Sequence, residues 1–105
     1  MNTLAIIART ELSAEDAPKY VEAARKLIEP TRKEAGCEMY AMAVDICDPN
    51  VIWISEQWAS KQHLDDHLRA PHILEFLQTV GGLDIKSLDA RQYSVSAMGP
   101  VEMPE

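Results

Sequence analysis

The chain has 105 residues, 17 of them acidic and 10 basic, for a formal charge of −7. That length predicts one domain, large enough to bury a core without disulfides or a structural metal. The acid excess argues against a nucleic-acid partner and against docking on an anionic membrane, since both need clustered Lys and Arg. No apolar run approaches the roughly 20 residues of a membrane span. The first ten residues alternate too well for a signal peptide, so the cytoplasm is the expected compartment. Cys37 and Cys47 have no second pair of cysteines beside them. A zinc site of cysteines is therefore not available, and both read as small buried thiols.

Residues 3–10 are apolar and β-branched and predict a first strand. A helix follows, and Pro18 decides where it starts. With Asp16 as N-cap, the proline falls in the first turn, where its missing N–H has no partner to lose; a Ser13 cap would put it at the fifth helical position. Ala17, Tyr20, Val21, Ala24, Leu27, Ile28 and Thr31 recur at helical spacing and predict one buried face. Pro30 is expected to kink this helix or cut it to a short last turn. Gly36 is placed as its stop. Residues 37–46 predict a second strand, Asp48-Pro49-Asn50 a turn, and 51–58 a third strand. Ser60 can cap a helix from Lys61 to Arg69, and Pro71 suits the first position of another that ends at Gly81-Gly82. A last strand spans about 85–97. One domain over residues 1–98 results, with a tail at 99–105 that has no core pattern.

The order strand, helix, strand, strand, helices, strand is the split βαβ arrangement of an α+β, ferredoxin-like fold with an antiparallel sheet. Helices would cover one sheet face. The two hairpin strands, expected to be the central ones, are however apolar at both parities. Ile52 and Ile54 alternate with Val51 and Trp53, and Tyr40, Met42 and Val44 with Met39, Ala41 and Ala43. A sheet apolar on both sides implies a second sheet packed on it, and a homodimer supplies one.

All three histidines lie between positions 63 and 72. His63 and His67 are one helical turn apart, at about 0° and 40° on the helix, with Leu64 and Leu68 near 100° and 140°. They border the apolar stripe, where a pocket wall would run. His72 opens the next helix. Any of the three could serve as a general base near neutral pH, or could be an ordinary boundary histidine. A metal reading of His63 and His67 lacks both the Glu of the His-Glu-x-x-His pattern and a third ligand. Glu56 shares the parity of Trp58 in an apolar strand, so an inward carboxylate there would need a partner or would have a raised pKa. Tyr40 on the neighbouring strand could offer a phenol. No glycine-rich phosphate loop, nucleophile elbow, dinucleotide or flavin fingerprint is present. An enzyme built this way would work without a nucleotide cofactor.

Three blocks carry a resemblance. They are Lys33-Glu34-Ala35-Gly36-Cys37-Glu38-Met39-Tyr40, then Ser55-Glu56-Gln57-Trp58-Ala59-Ser60, then His63-Leu64-Asp65-Asp66-His67-Leu68-Arg69-Ala70-Pro71-His72. Over roughly residues 3–97 the chain resembles the antibiotic biosynthesis monooxygenase superfamily, and within it the bacterial quinol monooxygenase type. The resemblance implies a dimeric α+β barrel with a pocket between sheet and helices in each subunit. It also implies oxygenation of a small electron-rich hydroxyaromatic by dioxygen, with neither metal nor flavin. A phenol has a pKa near 10, and its anion is the better electron donor, so a histidine base in a dry pocket would supply most of the help needed. Carried over, the motif makes His63 the first candidate for the base. Tyr40, Glu56, Trp58, His67 and His72 become candidates for the pocket lining. The iron-binding histidine of the haem-degrading branch would fall near Leu77, which cannot bind iron. Two other functions suit the same residues: an isomerase of a small carbonyl compound, and a non-enzymatic dimeric ligand-binding or stress-associated module.

Overall fold

A computed structural model describes residues 2–105. The elements are β1 (Thr3–Leu12), α1 (Ala17–Arg32), β2 (Cys37–Asp45), β3 (Asp48–Trp58), α2 (Lys61–Leu68), α3 (Pro71–Val80) and β4 (Ile85–Val95). The strands form one antiparallel sheet in the order β2-β3-β1-β4. The fold is therefore α+β and ferredoxin-like. β1 and β3 are central, and β2, expected in the middle with β3, is an edge strand.

Asp16 stands at the N-cap of α1 with Pro18 in the first turn, yet its side chain makes no capping bond. Instead its carboxylate accepts the Asp84 N–H at 2.7 Å and ties the start of α1 to the loop before β4. Pro30 lies inside α1, which continues to Arg32. So close to the helix end the proline removes a single backbone bond, and packing holds the last turn: Thr31 is fully buried, and Arg32 Nε donates to the Tyr40 carbonyl at 2.9 Å. The predicted face of α1 is inward, with Ala17, Tyr20, Ala24, Leu27 and Thr31 buried and Val21 and Ile28 partly so. The helix stops four residues before Gly36, which instead turns the chain into β2 with a φ of +79°.

The hairpin turn is Ile46-Cys47, not Asp48-Pro49-Asn50. Those three residues begin β3 at a register shift, where a proline lacking its N–H costs no ladder bond. The Asp45 carboxylate fixes the turn by accepting from the Cys47 N–H and the Trp53 indole, both at 2.8 Å. Cys47 is exposed and Cys37 half-buried, so neither is the buried thiol expected.

Cross-strand pairing sorts the sheet into two faces. Leu4 faces Trp58, Ile6 faces Glu56, Ala8 faces Ile54 and Thr10 faces Ile52. This side, extended by Tyr40 beside Glu56, packs on the helices, and the core lies there. On the other side Ile7, Met39 and Tyr93 remain about half exposed. Ten of the eleven residues of β4 are exposed. Residues 99–105 carry no regular element and are exposed. No helix is long and apolar enough to cross a membrane.

Candidate active site

The functional candidates gather around the second half of α2. Ser60 caps this helix, and its Oγ accepts the His63 N–H at 3.2 Å. Lys61 to Leu68 then give two turns, enough to carry Leu64 and His67 onto the sheet. Both are buried, His67 to 1% exposure. Pro71 opens α3 immediately afterwards, and His72 in its first turn swings back beside His67, with ring centroids 6.3 Å apart.

A carboxylate holds these two rings together. Glu34, in the turn between α1 and β2, places Oε2 at 2.7 Å from His67 Nδ1 and at 2.7 Å from His72 Nε2. An ionised carboxylate oxygen can only accept, so it assigns a proton to each of those ring nitrogens. The lone pairs of the two imidazoles are then left on His67 Nε2 and His72 Nδ1. His67 Nε2 lies 4.0 Å from Glu56 Oε1, which accepts the Trp58 indole N–H at 2.9 Å. Trp58 and Tyr40 pack on the His67 ring, with centroids at 4.6 Å and 5.5 Å.

Burial sets the electrostatics here. It raises the Glu56 carboxyl above its usual value; the neighbouring Glu34 charge adds to the rise, while the Trp58 hydrogen bond and His67 oppose it. Burial also pushes the Tyr40 phenol well above its usual value, with Glu56 as the next cause. Tyr40 is therefore a neutral group that can donate a proton in a hydrogen bond but does not hold a charge. The Cys37 thiol is raised as well, chiefly by burial and then by Glu34 and Glu56.

His63 sits elsewhere. Its Nδ1 is 2.8 Å from Ser60 Oγ, and its ring lies against the backbone of Gly36. A Cβ at position 36 would come within 2.2 Å of His63 Cγ, so only glycine fits there, quite apart from its positive φ. Of the candidates from the sequence, the structure brings Tyr40, Glu56, Trp58, His67 and His72 into one cluster. His63 lies one turn away and shares no hydrogen bond with that cluster among the described residues.

A cavity of about 250 Å³ does lie between α1 and the sheet, lined by Val21, Ile28, Met42 and Ile52, but it touches no residue of the cluster; Trp58, Tyr40 and His67 are each 3% exposed or less. The cluster opens instead through His72, which is 24% exposed at its side chain. His72 lines a groove of about 330 Å³ between α1 and α3, together with Lys26, Leu27, Glu75 and Phe76.

This arrangement sits in a chain whose residues 3–79 match the family model described as antibiotic biosynthesis monooxygenase. The chain belongs to the antibiotic biosynthesis monooxygenase family. Similar proteins include "Probable quinol monooxygenase YgiN" of Escherichia coli K12, 34% identical over 74 residues, which cover 63% of this chain and 70% of that protein. The crystal structure of PA3566 from Pseudomonas aeruginosa superposes with a TM-score of 0.83 at 27% identity, covering 92% of this chain and 97% of that one. A conserved protein from Methanosarcina mazei Go1 superposes with a TM-score of 0.81 at 25% identity, covering 89% and 92%.

In this family member the site contains one group that sequence reasoning passed over. Glu34 is the last of three adjacent charged residues, Arg32-Lys33-Glu34, at a helix end, where charge usually means solvent. Only the fold reveals that it points inward. It also supplies, with His72, the partners that the spacing of His63 and His67 lacks.

Proposed function

We propose that this chain is a monooxygenase of quinols or related small hydroxyaromatics, and that His72 is its base, held in place by Glu34 and His67. The observation that carries this reading is the single carboxylate oxygen shared by two imidazoles at 2.7 Å. That contact fixes the His72 proton on Nε2 and leaves Nδ1 free to take a proton. His72 is also the member of the cluster that reaches an open groove, and a volume of about 330 Å³ suits a small aromatic molecule. The base removes the hydroxyl proton of the substrate. The resulting anion delivers electrons to dioxygen far more readily than the phenol does. Tyr40, kept neutral by burial, adds no charge of its own to the cluster behind the base. The family relationship and the name of the YgiN relative support the reaction and the substrate class.

The working unit in this proposal is a homodimer. Its support is the half-exposed apolar set Ile7, Met39 and Tyr93, together with the unpaired edge of β4. A cytoplasmic setting fits the two free thiols. Sedimentation showing only monomer at micromolar concentration would remove the dimer from this account.

Oxygen uptake with a reduced naphthoquinol tests the chemistry. Glu34→Gln should lower kcat about tenfold or more with little change in KM, because Glu34 orients the base without touching substrate. Unchanged kcat in Glu34→Gln would contradict the assignment.

A further inference from the structure

The convergence of Glu34, His67 and His72 offers more than a proton acceptor. One ligand atom from each residue lies within 4.8 Å of the other two, and Glu34 Oε2 already stands 2.7 Å from both His67 Nδ1 and His72 Nε2. Two imidazoles and one carboxylate are the donor set of many sites for zinc and other divalent transition metals, with bonds of about 2.0–2.2 Å. Three such ligands around a tetrahedral ion stand roughly 3.4 Å apart. The two contacts of 2.7 Å need only open by a fraction of an ångström. Glu34 lies in a turn and His72 in the first turn of α3, so both can give way while packing holds His67.

Two further observations point to a dication. Glu34 and Glu56 face the same histidine, and among the described residues no Lys or Arg lies within salt-bridge distance of either. The cluster therefore gathers two carboxylates against imidazoles alone. In addition, Glu56 Oε1 stands 4.0 Å from the far nitrogen of His67 and is itself anchored by the Trp58 indole. A ligating histidine usually donates its other N–H to a carboxylate, and Glu56 is placed to receive it.

We propose that Glu34, His67 and His72 form a binding site for one zinc-type divalent cation, and that filling it silences the histidine base. The proton bookkeeping explains the second half. To bind the ion, His67 gives up the proton on Nδ1 and takes one on Nε2; His72 gives up the proton on Nε2 and takes one on Nδ1. Each neutral ring keeps one proton, and no net proton is released. The lone pair that would accept the substrate proton, on His72 Nδ1, no longer exists. The inhibition rests on the proposed monooxygenase reading, but binding of the ion does not.

Calorimetric titration with zinc chloride on the full chain tests the site. The wild type and His63→Ala should each bind one ion per chain. Glu34→Gln and His72→Ala should bind at least about tenfold more weakly. Both replaced groups are partly exposed, and far-ultraviolet circular dichroism checks that the variants fold. Co²⁺ should give the intense visible bands of a low-coordinate ion in the wild type and lose them in Glu34→Gln. Equal affinity in all four proteins, or no stoichiometric binding by the wild type, overturns the site. Oxygen uptake with a quinol is then measured with and without zinc. Uptake that zinc leaves unchanged, in protein that binds it, overturns the silencing while the site stands. If no quinol supports uptake at all, the oxygenase reading fails, the silencing falls with it, and the titration still decides the site.

Discussion

The two ends of helix α2 carry the same residue in different surroundings. At the start, His63 is half-buried, bound to the capping serine and packed on a glycine backbone. One turn later, His67 is sealed between Trp58, Tyr40 and two carboxylates. The first end holds the chain in shape. The second places ionisable groups where water is scarce and where their neighbours decide what they do. The contrast teaches that helical spacing puts two histidines on a face but does not say which of them meets the chemistry.

Variants can break or sharpen this contrast. The largest effect is expected for His67→Ala, which opens a cavity and leaves Glu34 and Glu56 without their shared partner. Truncating a large buried ring to alanine costs about 3–5 kcal/mol, read as a lower urea midpoint. An unchanged midpoint would mean that the cluster does not hold the fold. At the other end, Gly36→Ala should cost about 2 kcal/mol or more, because a side chain at positive φ is strained and its Cβ meets the His63 ring. Pairing it with His63→Ala should recover only part of the steric cost, because the Cβ that remains at 63 still stands 2.7 Å from the new one; the lack of any recovery in that double variant would show that the His63 ring is not an obstacle. The smallest effect is expected for Ser60→Ala, at about 1 kcal/mol from the lost cap. Activity should hardly change in Ser60→Ala, and a large fall there would move the chemistry toward His63.

Much of the fold was legible in the sequence. Apolar and β-branched runs marked the first three strands and alternation the last, Pro18 placed the start of α1, and Ser60 and Pro71 marked the two later helices. The misses have physical reasons. The turn at Ile46-Cys47 has neither glycine nor proline; it depends on Asp45 accepting two N–H groups, one from Trp53 eight residues away. Pro30 was tolerated because Thr31 and Arg32 secure the last turn through tertiary contacts. The site was half legible. Tyr40, Glu56, Trp58, His67 and His72 were all on the page, but their grouping needed the fold. Leu68 suggested an apolar stripe on its side of α2, yet it is about half exposed, and the buried strip centres between Leu64 and His67. Glu34 carried no local signal, since nothing in the residues next to it distinguishes an inward carboxylate from a solvated one.

The central claim is that the histidine held by Glu34, not the one held by Ser60, takes the substrate proton. The most direct test is kcat/KM for oxygen uptake with a reduced quinol in His72→Ala and His63→Ala, measured side by side. The account predicts a loss of about 100-fold or more in His72→Ala, the range of a removed general base, and less than about threefold in His63→Ala. The reverse order, with His63→Ala inactive and His72→Ala near wild type, would contradict it.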